Sequence, residues 1–364
     1  MTYLFLQQYW WLVVSLLGAL LVFLLFVQGA NSMIFSLGYD ADTRRLLVNS
    51  TGRKWEITFT TLVTFGGAYW LWMIILFTFV MQAVSYEFQN KLGNFLGVKT
   101  FQICLVINGI LGPLLLGGAV ATFFDGSNFV VEKANITNVA APVISRWANA
   151  SNGLDALLNV WNVIFGLAVL FLARVLGTLY VINNVNNENI RSRGSVQLVG
   201  NAALFLVCFL TFFIHVLLKA GYAYDPATGV ITMEPLKYLH NFIEMWYLSA
   251  LLIVGVVLVL YGIVRTIVSK TYIKGIWPTG IGVILVVLSL LLCAGWNHTA
   301  YYPSNVDLQS SLTIENSSSS PFTLQVMIFV SLLVPFVVAY IWYAWRAIDR
   351  KKIDLDEVNH GDAY

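Results

Sequence analysis

The ionisable side chains of Glu56, Arg174, His215 and Glu244 lie in or at the edge of long apolar runs of this sequence. An ionisable group in hydrocarbon is costly unless it is paired or hydrated, so such residues are the first candidates for function in a strongly apolar chain. A carboxylate or an imidazole can exchange protons, and a guanidinium can hold an anion. Proton transfer and ion pairing are therefore the chemistry that these residue types offer.

Glu56 follows Trp55 at the start of the second apolar run. At that position a carboxylate can take up protons from the adjacent aqueous phase, which is typical of the mouth of a proton path. It can equally be an N-terminal helix carboxylate that the helix macrodipole stabilises. Position alone favours the second interpretation.

Arg174 lies deep in the run LAVLFLARVLGTLY. Its guanidinium could neutralise a buried acid or a cofactor propionate of a partner, or it could extend to the inner face of the membrane. His215 in FFIHVLLK could be a ligand or a proton relay, although a lone histidine near a helix end is more often hydrogen-bonded and structural. For Glu244 the sequence predicts a local ion pair with Lys237 or His240.

Metal and nucleotide chemistry have no support in the sequence. Cys104, Cys208 and Cys293 lie in apolar runs without a CxxC pair, which is typical of packed thiols. There is no phosphate-binding Gly-rich loop, nucleophile elbow or HExxH motif, and four histidines are too few to ligate several haems. A net charge of +2 with no basic, aromatic-interleaved cluster argues against nucleic acid as a partner.

The elements that would position these residues are membrane helices. Of the 364 residues, 59% are hydrophobic and only 10% are charged, with a mean hydropathy of +0.77. Such a chain cannot cover its surface with polar groups, so lipid must be its solvent. The sequence predicts an all-α, polytopic transmembrane bundle of about eight or nine helices. We place spans at 10–36, 57–84, 100–124, 155–182, 196–219, 241–268, 275–296 and 323–348 of a single membrane unit, 1–364.

The distribution of Lys and Arg predicts the orientation. Fifteen of the 20 basic residues follow the first, second, fourth, sixth and last spans, whereas three longer loops, 125–154, 220–240 and 297–322, hold few. The long loops should therefore face outward, and the basic turns and the C-terminal tail, 347–364, should face the cytoplasm.

One segment conflicts with this alternation. Residues 37–56 and 85–99 both carry cytoplasmic charge, yet only 57–84 separates them. Its 28 residues, at roughly 1.5 Å each, make about one tilted crossing. Either one arm of a helical hairpin is absent from this sequence, or Lys91 and Lys99 are weak topology signals on the outer side. The first interpretation is favoured.

Three stretches together resemble subunit II of the cytochrome bd quinol oxidases over essentially the full chain. They are the opening helix QQYWWLVVSLLGALLVFLLFVQG, the loop DADTRRLLVNSTGRKWE, and SSLTIENSSSSPFTLQVM with LLVPFVVAYIWYAW near the C-terminus. The resemblance implies a bacterial inner-membrane heterodimer whose larger subunit I holds haem b and haem d and oxidises quinol. It implies no cofactor in this chain. A small single-helix accessory subunit, lipid and quinone are further possible partners.

The resemblance also assigns roles to individual residues. The acid of the family's Trp-acid pair lies on a proton route, and the resemblance assigns that role to Glu56 beside Trp55. The resemblance therefore favours a proton-path role for Glu56 over the helix-terminal carboxylate that its position alone favours. The family's first helix often carries two acids where this chain has VQGAN; Gln28 and Asn31 cannot exchange protons, so they are expected only to hydrogen-bond. The family builds a complete two-helix hairpin after Gly66 and Gly67, which agrees with a lost arm near Gly67–Tyr69.

Two alternatives come from other classes of protein. A stand-alone transporter or channel would favour inverted repeats and a broken helix near the midplane, for which Gly112-Pro113 is the candidate. A non-catalytic assembly protein would be dispensable for the activity of its partner. Substrate uptake by the isolated chain would favour the first, and full activity of the partner alone the second.

Overall fold

The computed structural model describes residues 2–66, 72–91, 94–137, 143–269, 271–349, 352–355 and 358. These residues form a helical bundle with two small β-hairpins at one end. The α-helices are α1 (Tyr3–Leu24), α2 (Phe26–Asn31), α3 (Ile34–Leu37), α4 (Ala41–Gly52), α5 (Trp55–Gly66), α6 (Trp72–Phe88), α7 (Val98–Asp125), α8 (Val160–Asn184), α9 (Glu188–Leu218), α10 (Lys237–Glu244), α11 (Trp246–Val268), α12 (Ile276–Gly295), α13 (Pro321–Ser331) and α14 (Val334–Ile348). Short 3-10 helices span Lys133–Thr137, Leu154–Leu158 and Leu308–Ser310.

Seven stretches of the described residues are helical, long and apolar enough to cross a membrane, and they correspond to seven of the eight predicted spans. α1 with α2 forms one of them and α13 with α14 another. α7 passes through Gly112 and Pro113 without interruption, so the break that a transporter would need is not at this position. α9 begins at Glu188, earlier than predicted, because the Asn187 side chain caps it and accepts a hydrogen bond from the Ile190 amide.

The predicted single crossing at 57–84 is wrong. The segment contains α5 with 12 residues and α6 with 17, about 18 Å and 25 Å long, each shorter than a bilayer core of about 30 Å. Trp55 at the start of α5 stacks on Tyr86 near the end of α6, with ring centroids 5.9 Å apart. The two helices therefore start and finish at the same end of the bundle, as the basic residues on both sides require. The position predicted for a lost helix arm, Gly67–Tyr69, lies outside the described residues.

α8 is the central helix of the bundle. The most apolar stretch of α8 is 72% buried, compared with 12% for that of the span formed by α13 and α14. Small residues let α2 approach it closely: a Cβ on Gly29 would lie 1.7 Å from the Ala173 carbonyl oxygen, and one on Gly177 would lie 2.3 Å from the Ala30 nitrogen. Backbones this close bring the polar residues of α2 against the helices around α8.

The three long loops meet at one end of the bundle, called here the loop end. β1 (Phe129–Val131) pairs antiparallel with β2 (Ser145–Trp147), and β3 (Gly221–Tyr224) with β4 (Ile231–Glu234). Backbone hydrogen bonds from Ser127 N to Pro303 O (3.0 Å) and from Ala300 N to Tyr222 O (2.8 Å) join the loops. The prediction that these three loops share one side is confirmed.

Candidate proton-uptake site

The end of the bundle opposite the loop end, where α8 ends at Asn184, is called here the basic end. α4 lies at this end. Asp40 caps α4 by accepting a hydrogen bond from the Thr43 amide at 2.8 Å. Ser50 Oγ donates to Asn184 Oδ1 (3.0 Å), and Tyr180 Oη donates to the Ser50 carbonyl (2.8 Å), so α4 is fastened to the end of α8. These contacts hold the turn that leads into α5.

Trp55 occupies the inner side of that turn. Its side chain is buried between Phe59, one turn along α5, and Tyr86, on which it stacks with an interplanar angle of 16°. The indole Nε1 is buried and has no hydrogen-bond partner among the described residues. Trp55 therefore fixes the start of α5 against the end of α6 chiefly by apolar and ring contacts.

A buried polar cluster lies behind Trp55. Tyr86 Oη lies 2.8 Å from both Asn31 Oδ1 and Thr51 Oγ1, and Thr51 Oγ1 lies 3.0 Å from Asn31 Oδ1. The three side chains are almost fully buried and come from α2, α4 and α6. Asn31 thus joins three helices through its carbonyl oxygen, and its Nδ2 has no hydrogen-bond partner within the described structure.

Gln28, one turn earlier on α2, makes a second contact between α2 and α6. Its Nε2 donates to Gln82 Oε1 on α6 at 2.8 Å, and both side chains are buried. Gln28 Oε1 and Gln82 Nε2 have no partner among the described residues. The two amides of the VQGAN stretch therefore hydrogen-bond across helices, as expected.

Glu56 points away from this cluster. Its side chain is exposed, and it shares a face of α5 with exposed Thr60 and Val63. The opposite face carries buried Trp55, Thr58 and Leu62. Trp55 and Glu56 are consecutive residues in the first turn of α5, and their side chains lie on opposite faces of it. Glu56 is therefore separated from Gln28 and Asn31. A carboxylate at this place can exchange a proton with water.

Comparison with known proteins decides the family. Residues 6–348 match the family model described as cytochrome bd terminal oxidase subunit II. The chain belongs to this family. It is 25% identical to cytochrome bd-I ubiquinol oxidase subunit 2 of Escherichia coli K12, over 96% of this chain and 97% of that protein. It is 23% identical to cytochrome bd ubiquinol oxidase subunit 2 of Bacillus subtilis, over 94% and 96%.

Membership of the cytochrome bd oxidase subunit II family confirms the resemblance predicted from the sequence. The chain is a subunit of a respiratory quinol oxidase complex that contains haem, and the name implies a partner subunit I. The alignment with the Escherichia coli relative runs over 386 residues, more than the 364 of this chain. That relative therefore has stretches with no counterpart here.

Arg174 and His215 lie outside the site. Arg174 is partly buried on α8, and its Nε has no hydrogen-bond partner within the described residues, so neither interpretation of its role is decided. His215 is at the loop end, where Nε2 lies 3.1 Å from Asp125 Oδ1 and the ring stacks on Trp161 at 3.8 Å between centroids. This hydrogen bond places His215 in a polar network with Asp125 at the loop end.

The local pair predicted for Glu244 is wrong. Glu244 Oε2 accepts a hydrogen bond from Asn297 Nδ2 at 2.6 Å. Lys237 and His240 contact Glu234 instead, at 3.2 Å and 2.9 Å. The β3–β4 hairpin brings Glu234 close to the start of α10, which the sequence spacing alone did not predict.

Several polar residues of the basic end were missed from the sequence. Thr51, Tyr86 and Gln82 are ordinary residues within apolar or loop stretches, and only the packing of α2, α4 and α6 makes them neighbours. Lys54 was interpreted only as a topology signal, yet its side chain is fully buried and pairs with Asp349. No local signal in the sequence predicts a contact between residues that far apart. Within the described ranges, no group of three His, Cys, Asp or Glu side chains could hold a metal ion.

Proposed function

We propose that this chain is the haem-free subunit of a bd-type quinol:O2 oxidoreductase and that it helps supply the protons for reduction of O2 to water. Its partner, subunit I, would hold haem b and haem d and oxidise quinol. The basic end would face the cytoplasm of a bacterial inner membrane, together with the C-terminus. Because protons for water formation would then come from the cytoplasm, turnover would build a proton-motive force.

The observation that supports this role is the placement of Glu56. It is a carboxylate at the basic end, on an exposed face of a short helix, and Trp55 anchors that helix from the inside. An unpaired carboxylate facing hydrocarbon is costly, so a partner protein or water should cover this face in the complex. A partner that lies along Glu56, Thr60 and Val63 would receive the proton directly.

Gln28, Asn31 and Tyr86 have a different role in this proposal. Amides do not exchange protons as carboxylates do; Gln28 hydrogen-bonds to Gln82, and Tyr86 donates a hydrogen bond to Asn31. They would hold the α5–α6 hairpin in place, and Glu56 would carry the proton. A small single-helix subunit, lipid or quinone could bind elsewhere on the exposed helices, such as the span of α13 and α14.

The test is Glu56→Gln in the purified complex, with Glu87→Gln as the matched control. Glu87 is an exposed carboxylate near the end of α6, at the same end of the hairpin. We expect Glu56→Gln to slow oxygen consumption by at least roughly tenfold, because a positioned proton carrier contributes that much or more. Haem absorption should stay unchanged, and Glu87→Gln should consume oxygen at the wild-type rate.

Acidification measured in proteoliposomes tests the direction of proton movement. The wild-type complex should take up protons from the compartment that contains the basic end, and Glu56→Gln should reduce this uptake in parallel with oxygen consumption. A wild-type rate of oxygen consumption in Glu56→Gln would remove Glu56 from the mechanism.

A further inference from the structure

The described residues after α14 pack against the basic end. Asp349, the described residues 352–355 and residue 358 are called here the strap. Ile353 N donates to the Asn184 carbonyl (3.1 Å), and Asn186 N donates to the Ile353 carbonyl (3.0 Å), so the strap pairs with the turn between α8 and α9. The side chains of Ile353 and Val358 are buried. The strap is therefore a packed part of the bundle.

An ion pair between buried Lys54 and partly buried Asp349 joins the strap to the turn before α5. The Lys54 side chain is 0% exposed, and its Nζ lies 3.1 Å from Asp349 Oδ1 and 4.8 Å from the centroid of the Trp345 ring. Asp349 Oδ1 also accepts a hydrogen bond from Asn184 Nδ2 at 2.9 Å. Burial lowers the pKa of the Lys54 ammonium, and the Asp349 carboxylate opposes that change. A buried ammonium is costly unless it is paired, so the contact strongly favours one position of Lys54.

Lys54 is covalently joined to the proposed proton-uptake residues. It immediately precedes Trp55 and Glu56, and its amide donates to the Thr51 carbonyl at 3.0 Å in the turn that ends α4. Any movement of the Lys54 backbone must therefore move the first turn of α5. Trp345 of α14, whose ring lies near Lys54 Nζ, contacts Phe26 of α2 at 5.3 Å between centroids. Trp345 is therefore itself part of the core.

We propose that Lys54 and Asp349 are positioning residues for proton uptake: their ion pair uses the strap to hold the first turn of α5, and with it Glu56, at the basic end. This inference rests on the proposed function of Glu56. It differs from a general contribution to stability, because it requires a local effect at the start of α5 and an effect on turnover that leaves quinol binding unchanged.

The experiment compares Asp349→Asn and Lys54→Met with Lys352→Met in the purified complex. Asp349→Asn is nearly isosteric and should leave the strap in place. It therefore tests the ion pair even if Lys54→Met does not fold. Lys352 is a partly buried lysine of the same strap and serves as the control. Hydrogen exchange is measured at the backbone amides of residues 55–58 and, for reference, at those of α8. Oxygen consumption is measured as a function of quinol concentration, giving kcat and KM separately.

We expect Asp349→Asn and Lys54→Met to speed exchange at residues 55–58 and to lower kcat by roughly tenfold with an unchanged KM, since a small misplacement of a reacting group can cost this much or more. Lys54→Arg should restore much of the lost kcat because it keeps the charge. Lys352→Met should behave as wild type. Unchanged exchange at residues 55–58 in Asp349→Asn would overturn the role of the strap, and so would a uniform increase that includes α8. Wild-type turnover in Glu56→Gln would instead overturn the proposed function, whatever the exchange at residues 55–58.

Discussion

The two ends of the bundle handle charge differently. At the loop end, acids meet bases within the same chain: Asp125 Oδ1 lies 2.5 Å from Lys219 Nζ and 3.1 Å from His215 Nε2. At the basic end, Glu56 is exposed, and no ion pair to its carboxylate is found among the described residues. The buried groups near it are mostly neutral amides and hydroxyls, apart from Lys54, which pairs with partly buried Asp349.

This difference agrees with the proposed contact between the basic end and a partner. The loop end pairs Asp125 Oδ1 with bases of the same chain, although Asp125 Oδ2 has no hydrogen-bond partner among the described residues, so these ion pairs chiefly contribute stability. The basic end leaves amide atoms of Gln28, Gln82 and Asn31 without partners in the described structure and presents a carboxylate on an open helix face. Buried amide groups are normally hydrogen-bonded, so these atoms are expected to have partners in the assembled complex. Removal of a carboxylate should therefore chiefly affect stability at Asp125 of the loop end and turnover at Glu56 of the basic end.

The largest effect on stability is expected for Asp125→Ala at the loop end. The Asp125 side chain is only 6% exposed, and its removal leaves Lys219 and His215 without their acid. Breaking a buried pair by removing one partner costs about 3–5 kcal/mol. We expect the thermal unfolding midpoint of the purified complex to fall by several degrees, while oxygen consumption at low temperature stays near wild type. If Glu56→Gln lowered the midpoint as much as Asp125→Ala does, the contrast between the two ends would be lost.

A smaller effect is expected for Tyr86→Phe at the basic end. The substitution keeps the ring that stacks on Trp55 and removes only the hydroxyl beside Asn31 and Thr51. Asn31 and Thr51 still hydrogen-bond to each other, so the substitution removes buried hydrogen bonds worth about 0.5–1.5 kcal/mol each, and the midpoint should fall moderately. Tyr247→Phe, on an exposed tyrosine of α11, is the control and should leave it unchanged. Turnover should remain near wild type. A loss of turnover equal to that of Glu56→Gln would mean that the cluster itself conducts protons.

The sequence predicted much of the fold because membrane helices depend on local composition. Seven of the eight predicted spans correspond to helices, and the three long loops meet at one end as predicted. The segment 57–84 was misinterpreted because its length alone suggests a single crossing. The contact between Trp55 and Tyr86, which shows that the chain returns, depends on tertiary packing. The basic residues flanking the segment had indicated that both of its ends lie on the same side.

The site was only partly predictable for the same reason. Glu56 and Trp55 are adjacent in the sequence and stand out by residue type, so their motif could be found. Asn31 and Tyr86 are 55 positions apart, and Lys54 and Asp349 are 295 apart. Nothing in the local pattern of either pair predicts that they meet. A lysine in a basic loop is normally exposed, so the burial of Lys54 could be learned only from the structure.

The smallest effect is expected at Asp155 in the loop end, and it depends on pH. Burial alone would raise the pKa of this carboxyl, but hydrogen bonds from Ser151, Asn128 and Asn149 outweigh burial and hold the pKa below the usual value. A depressed pKa in the folded state means that the ionised carboxylate stabilises the fold above the pKa of the unfolded chain, near 3.8. This stabilisation is lost as the pH falls through the lower pKa of the folded state.

Asp155→Asn tests this pH dependence without changing the size of the side chain. At pH 7 the variant should unfold at a slightly lower temperature than the wild type, because the carboxylate accepts hydrogen bonds more strongly than an amide oxygen does. The difference should shrink as the pH falls below about 3.8, because the unfolded chain takes up a proton there before the folded carboxylate does. Oxygen consumption at pH 7 should be the same for both proteins. A difference in midpoint that stays constant over this pH range would show that the ionised form of Asp155 contributes nothing to the loop end, and that neutral hydrogen bonds are sufficient to hold the three loops together.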